Sequence, residues 1–128
     1  MKYIKRLIES QLKNYLESSG AVFLRGVKAS GKTETALRFA KSEVNLQQSE
    51  RNRILAEVSP QDLLDGKTPR LIDEWQEVPS IWNNIKIETD KRKTTKQFIL
   101  AGSATLKDDV KIHSGAGRII TLDITTIS

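Results

Sequence analysis

The chain has 128 residues, 38% of them hydrophobic and 29% charged, which fits one domain able to bury a core without staples. It has no cysteine and a single histidine, His113, which excludes disulfides, thiol catalysis, zinc–thiolate sites and multi-histidine metal sites. A net charge of +5 favours anionic partners, nucleic acid among them.

The predicted elements alternate. Residues 2–18 carry Ile4, Leu7, Ile8, Leu12, Tyr15 and Leu16 at spacings of three and four, the pattern of an amphipathic helix, and Gly20 is placed to stop it. "AVFLR" (21–25) is short, apolar and bounded by glycines, as a strand buried on both faces would be. "KTETALRFAKS" (32–42) has helical composition, with Ala36, Phe39 and Ala40 on one face, and "VNL" (44–46) reads as a weak strand. A helix is expected around Arg51–Val58, then a short one with Ser59 as cap and Pro60 at its first position. "RLIDE" (70–74) reads as a strand closing on two acids. A helix over 78–92 follows, begun near Pro79, with Ile81, Trp82, Ile85 and Ile87 or Glu88 about one turn apart. "QFILAGS" (97–103) and "GRIITLDI" (117–124) are the last strands. Strands alternating with helices predict an α/β fold with a mainly parallel sheet.

The loop between the first strand and second helix carries the first chemical signal. Gly26-Val27-Lys28-Ala29-Ser30-Gly31-Lys32-Thr33 matches G-x-x-x-x-G-K-[ST], with the strand before and helix after that a phosphate loop requires. Gly26 and Gly31 allow unusual dihedrals and close approach to a ligand. Amides from about Lys28 to Thr33 would bind phosphate oxygens. Lys32 would place its charge at the β- and γ-phosphates, and the Thr33 hydroxyl would ligate Mg²⁺. Val27, Lys28, Ala29, Ser30 and Glu34 complete the stretch expected around the nucleotide, with no separate role for Lys28 or Ser30.

"LIDE" (71–74) supplies the acids that nucleotide hydrolysis needs. Asp73 would hold magnesium through water, and Glu74 would orient or deprotonate the attacking water. An acid directly after the magnesium aspartate points to the ATPase branch of phosphate-loop proteins, in which an added strand lies between the two motif strands. "QFILAGSAT" fits that strand, with Ser103 as the γ-phosphate sensor and Thr105 second. The competing reading is a plain strand-ending turn. Arg118, after the glycine pair of "HSGAGRI", is the candidate arginine finger or else a surface arginine. His113 reads as structural or exposed, and Trp75 and Trp82 as packing residues. "DKRKTTK" (90–96) is the one local basic cluster, either a nucleic-acid contact or a solvated helix end whose cations suit the dipole.

Together these stretches resemble a prokaryotic family of AAA-type ATPases with the motifs "GxKxxGKTxTA", "PRLIDEWQEVPxIW", "QFILxGSA" and "HSGAGRI". Here they fall at Gly26–Ala36, Pro69–Trp82, Gln97–Ala104 and His113–Ile119. The resemblance implies the three-layer P-loop NTPase fold, ATP and Mg²⁺ as ligands, and the same assignments for Lys32, Thr33, Asp73 and Glu74. It gives Ser103 the sensor role and Arg118 the finger role. It also implies a lid and a further C-terminal domain. The expectation for residues 1–128 is one AAA-type nucleotide-binding core with helix 2–18, without those parts. The alternative is a nucleotide-binding module without turnover that acts through a partner protein, or a basic nucleic-acid-associated P-loop protein. A homo-oligomer or partner protein and a cytoplasmic location complete the expectations. The N-terminus is interrupted by charges, unlike a secretory signal, and no apolar run approaches the roughly 18 residues of a membrane span.

Overall fold

A computed structural model describes residues 2–26, 31–102 and 119–124. The elements run α1 (Lys2–Ser18), β1 (Ala21–Arg25), α2 (Lys32–Leu37), β2 (Ser42–Asn45), α3 (Glu50–Val58), α4 (Pro60–Leu64), β3 (Arg70–Asp73), α5 (Ile81–Arg92), β4 (Phe98–Gly102) and β5 (Ile119–Asp123). A 3₁₀ turn, Trp75–Glu77, precedes α5.

The five strands pair in the order β2-β3-β4-β1-β5, every pair parallel. This is the expected α/β sheet, with β4 between the phosphate-loop strand β1 and the acidic strand β3. Helices cover both faces, which is why the central strands read as unbroken apolar runs. Phe23, Ile72, Phe98 and Leu100 face one way, into a core shared with Ala56 of α3, Leu63 and Leu64 of α4, and Ile81, Trp82 and Ile85 of α5. Val22, Leu24, Leu71, Ile99 and Ala101 face the other way, onto Ile8, Leu12 and Leu16 of α1 and Ala36 of α2. The result is three layers around one parallel sheet. An ion pair from Arg38 to Glu9 (2.8 Å) ties the end of α2 to α1. Among the described residues no helix is long and apolar enough to cross a membrane.

Several boundaries differ from expectation. Helix α2 stops at Leu37, not Ser42, because the Lys41 amide bonds the Pro69 carbonyl and draws the chain into the sheet. For the same reason β2 starts earlier than Val44, pairing Ser42 with Arg70, and Leu46 lies beyond its end. Strand β3 ends at Asp73, because Glu74 turns into the left-handed region (φ 56°, ψ 47°). Helix α5 begins at Ile81, after turns that close on Val78 and Pro79. On α5 it is Glu88 that lies inward, while Ile87 is exposed. On α1, Leu7 is half-exposed and outside the buried stripe. Ser59 precedes Pro60 as predicted, but its hydroxyl donates to Asp62 (2.8 Å) and does not cap a backbone amide.

Trp75 and Trp82 are packing residues in the core. Phe23 meets each edge-on at 5.5 and 5.4 Å. The basic cluster is partly absorbed by the fold. The Arg92 guanidinium lies 4.8 Å from the centre of the Phe98 ring and donates to Glu88 and Gln97.

Candidate functional site

All strands are parallel, so their carboxy ends share one edge, where open α/β sheets bind ligands. The register sets Asp73 opposite Ala101, and Arg25 between Gly102 and Asp123. Gly26, Asp73 and Glu74 are thereby brought to one place by elements far apart in sequence.

Gly31 is the N-cap of α2 at φ 84°, ψ 12°, and a Cβ there would meet nothing within 4 Å. Glycine is needed for its dihedral, not for space. Lys32, the first residue of α2, is only 5% exposed. Thr33 follows, half-buried, and its hydroxyl donates to Asp73 Oδ2 at 3.1 Å. Glu34 lies on the exposed side of the first turn. Val27, Lys28, Ala29 and Ser30 fall outside the described residues, as do Ser103, Thr105, His113, Arg118 and the side chain of Ile4.

Asp73 is 3% exposed. Burial pushes its carboxyl upward from the ordinary value, and the Glu74 charge adds to this. The Thr33 hydroxyl, the Glu74 amide and the Lys32 charge work in the opposite direction. The Glu74 amide donates to Asp73 Oδ1 at 2.9 Å, so the acid is held from both sides. A hydroxyl beside a buried carboxylate offers the hard oxygens that magnesium takes. No group of three or more His, Cys, Asp or Glu gathers among the described residues. That donor set suits magnesium, which draws its other ligands from water and phosphate, better than it suits a metal caged by protein.

Glu74 is half-buried, and its Oε1 accepts from the Gln76 side-chain amide at 2.8 Å. Sequence reasoning did not single out Gln76. Its signals are its place inside the "PRLIDEWQEVPxIW" motif and its position next to Trp75 in a segment that packs into the core. Arg25 ends β1 directly before the loop and is tied to Asp123 of β5. Its Nε and Nη2 reach the two carboxylate oxygens at 2.5 and 2.8 Å. Each partner favours the charged form of the other, lowering the Asp123 carboxyl and raising the Arg25 guanidinium.

No curated protein matches the chain. Among solved structures, that of C. elegans PCH-2 is similar, with a TM-score of 0.46 and 17% identity. The similarity covers 94% of this chain and 40% of that one, so this chain spans less than half the length of that chain. A family model described as AAA domain matches residues 18–128. The chain therefore belongs to the AAA-domain family and is a nucleotide-binding module.

Proposed function

We propose that this module binds ATP with Mg²⁺ and hydrolyses it to ADP and phosphate. The observation that carries this reading is the hydrogen bond from Thr33 to Asp73, with Glu74 the next residue after Asp73. It joins the end of the phosphate loop to the acidic strand end, the two parts that phosphoryl transfer to water requires.

In this reading the Lys32 ammonium neutralises charge on the β- and γ-phosphates. The Thr33 hydroxyl and the Asp73 carboxylate would hold the magnesium shell. Bound magnesium would offset the charge that builds on the phosphate oxygens. The Glu74 carboxylate accepts a proton from the water that attacks the γ-phosphorus. Backbone amides of 28–33 cradle the phosphates. The sensor role of Ser103 and the finger role of Arg118 rest on the motif resemblance. Residues 1–128 then form one ATP-binding core, whose turnover would act on a partner protein or a second subunit.

ATP turnover by the wild type, Lys32→Ala and Glu74→Gln tests this. The expected outcome is magnesium-dependent turnover that both substitutions reduce by about 100-fold or more, with Glu74→Gln still binding ATP. Wild-type turnover no faster than that of Lys32→Ala at saturating ATP rules hydrolysis out. Tight ATP binding without turnover selects a module that signals by occupancy alone.

A further inference from the structure

The pairing of Gln76 with Glu74 has no counterpart in the roles assigned above. Glu74 leaves β3 in a left-handed conformation, uncommon for a residue with a side chain, and so turns the chain out of the strand. The 3₁₀ turn that follows brings Gln76 beside it. A carboxylate only accepts hydrogen bonds, so the amide nitrogen of Gln76 must be the atom facing it. That fixes the Gln76 carbonyl on the other side. There Oε1 is buried, with no hydrogen-bond partner among the described residues.

The buried oxygen lies against Gly102 at the carboxy end of β4. A Cβ placed on Gly102 would overlap Gln76 Oε1 and come within 3.0 Å of the Trp75 ring. Gly102 is not among the described glycines with positive φ, so close approach, not its dihedral, requires the missing side chain. A buried acceptor without a partner weakens the fold, and an apolar side chain of the same length would avoid that cost. A polar side chain placed where an apolar one would fit, and donating to a proposed catalytic acid at 2.8 Å, points to a residue serving the site.

We propose that Gln76 is the positioning residue for the Glu74 carboxylate, seated in the space that Gly102 leaves open. This rests on the hydrolytic role of Glu74 proposed above. Gln76 touches neither nucleotide nor water in this scheme. It restricts Glu74 to one rotamer, so it acts on turnover and not on nucleotide affinity.

The test compares Gln76→Met, Gln76→Ala, Gly102→Ala and the Gln76→Ala/Gly102→Ala pair with the wild type. Methionine keeps length and bulk but cannot donate. Gln76→Met is expected to lower kcat about tenfold or more, leave KM for ATP within about twofold, and leave the melting temperature unchanged or higher. Gly102→Ala should lower kcat similarly by displacing the Gln76 side chain. Adding Gly102→Ala to Gln76→Ala should slow turnover less than Gly102→Ala slows the wild type, because only the closer contact, with the Trp75 ring, then remains. A kcat for Gln76→Met within twofold of wild type overturns the proposal, as does a fully additive pair. Should the wild type not hydrolyse ATP, the hydrolytic reading fails separately. The Gln76 side-chain amide resonance in a ¹⁵N spectrum then decides the contact. Loss of its slow exchange in Glu74→Ala supports the pairing, and an unchanged resonance overturns it.

Discussion

Thr33 and Asp73 are 40 positions apart in sequence, yet the threonine hydroxyl donates to the aspartate carboxylate at 3.1 Å. Parallel pairing of β1, β4 and β3 makes this contact, because it brings the helix after β1 beside the end of β3. The aspartate is almost fully buried, so this hydroxyl and the Glu74 amide carry much of its solvation. Replacing Thr33 with alanine should lower stability at neutral pH by about 1–3 kcal/mol, the usual loss when a hydrogen bond to a charged group is removed. It should also weaken nucleotide binding in magnesium more than in its absence. Urea melts and nucleotide titrations with and without magnesium check both.

The charge on Asp73 sets a pH dependence. Burial raises its folded-state value, so the ionised form is disfavoured in the fold. Stability is then fully present below the ordinary aspartate value, near 3.9, and is lost as pH rises through the raised folded value. Asp73→Asn removes that loss. Its amide oxygen still accepts from the Glu74 amide, and the Thr33 hydroxyl can reverse to accept. Melting in metal-free buffer should put Asp73→Asn at or above wild type at pH 8, with the gap closing at acid pH. A variant markedly less stable than wild type at pH 8 contradicts the sign.

Arg25 and Asp123 have the opposite sign. The paired guanidinium lowers the Asp123 carboxyl, so its contribution is present above the ordinary aspartate value and lost as pH falls through the lowered folded value. The pair is partly exposed, at 36% and 55%, so its worth is at most about 1 kcal/mol and is screened by salt. Asp123→Asn should lower the melting temperature by a few degrees at neutral pH and low salt. The difference should shrink both in 1 M salt and toward pH 3.

The aromatic cluster should dominate mutational stability. Trp82 meets Phe23 edge-on and Trp75 at 5.0 Å, and it is 3% exposed. Trp82→Ala should cost about 3–5 kcal/mol. Ile54→Ser and Val58→Ser, at 56% and 77% exposure on α3, should stay within about 0.5 kcal/mol of wild type. Equal losses at these sites would mean that the exposed face of α3 is covered in solution.

The boundaries that depart from expectation have a common cause. Residues 2–18 and 21–25 were legible because their apolar spacing is local and strong, and both elements have the expected bounds. The end of α2 was not, because "RFAKS" keeps helical composition and only the Lys41–Pro69 backbone bond pulls it off the helix. Edge strand β2 departs from expectation for a related reason. "SEVN" is half-buried, and pairing with β3 alone makes it a strand.

The chain by itself determined the phosphate-loop pattern, the acid pair at 73 and 74, and an alternating apolar rhythm that admits little but a parallel α/β sheet. These depend on residue type and spacing within one segment. The places of β2 and β5 at the two sheet edges, the meeting of Thr33 with Asp73 and the seating of Gln76 between Glu74 and Gly102 were decided only by the tertiary structure. Thr33 with Asp73 and Gln76 with Gly102 join segments far apart in sequence, and no local spacing encodes them. They follow from how the sheet buries both faces, which brings every carboxy strand end to one edge.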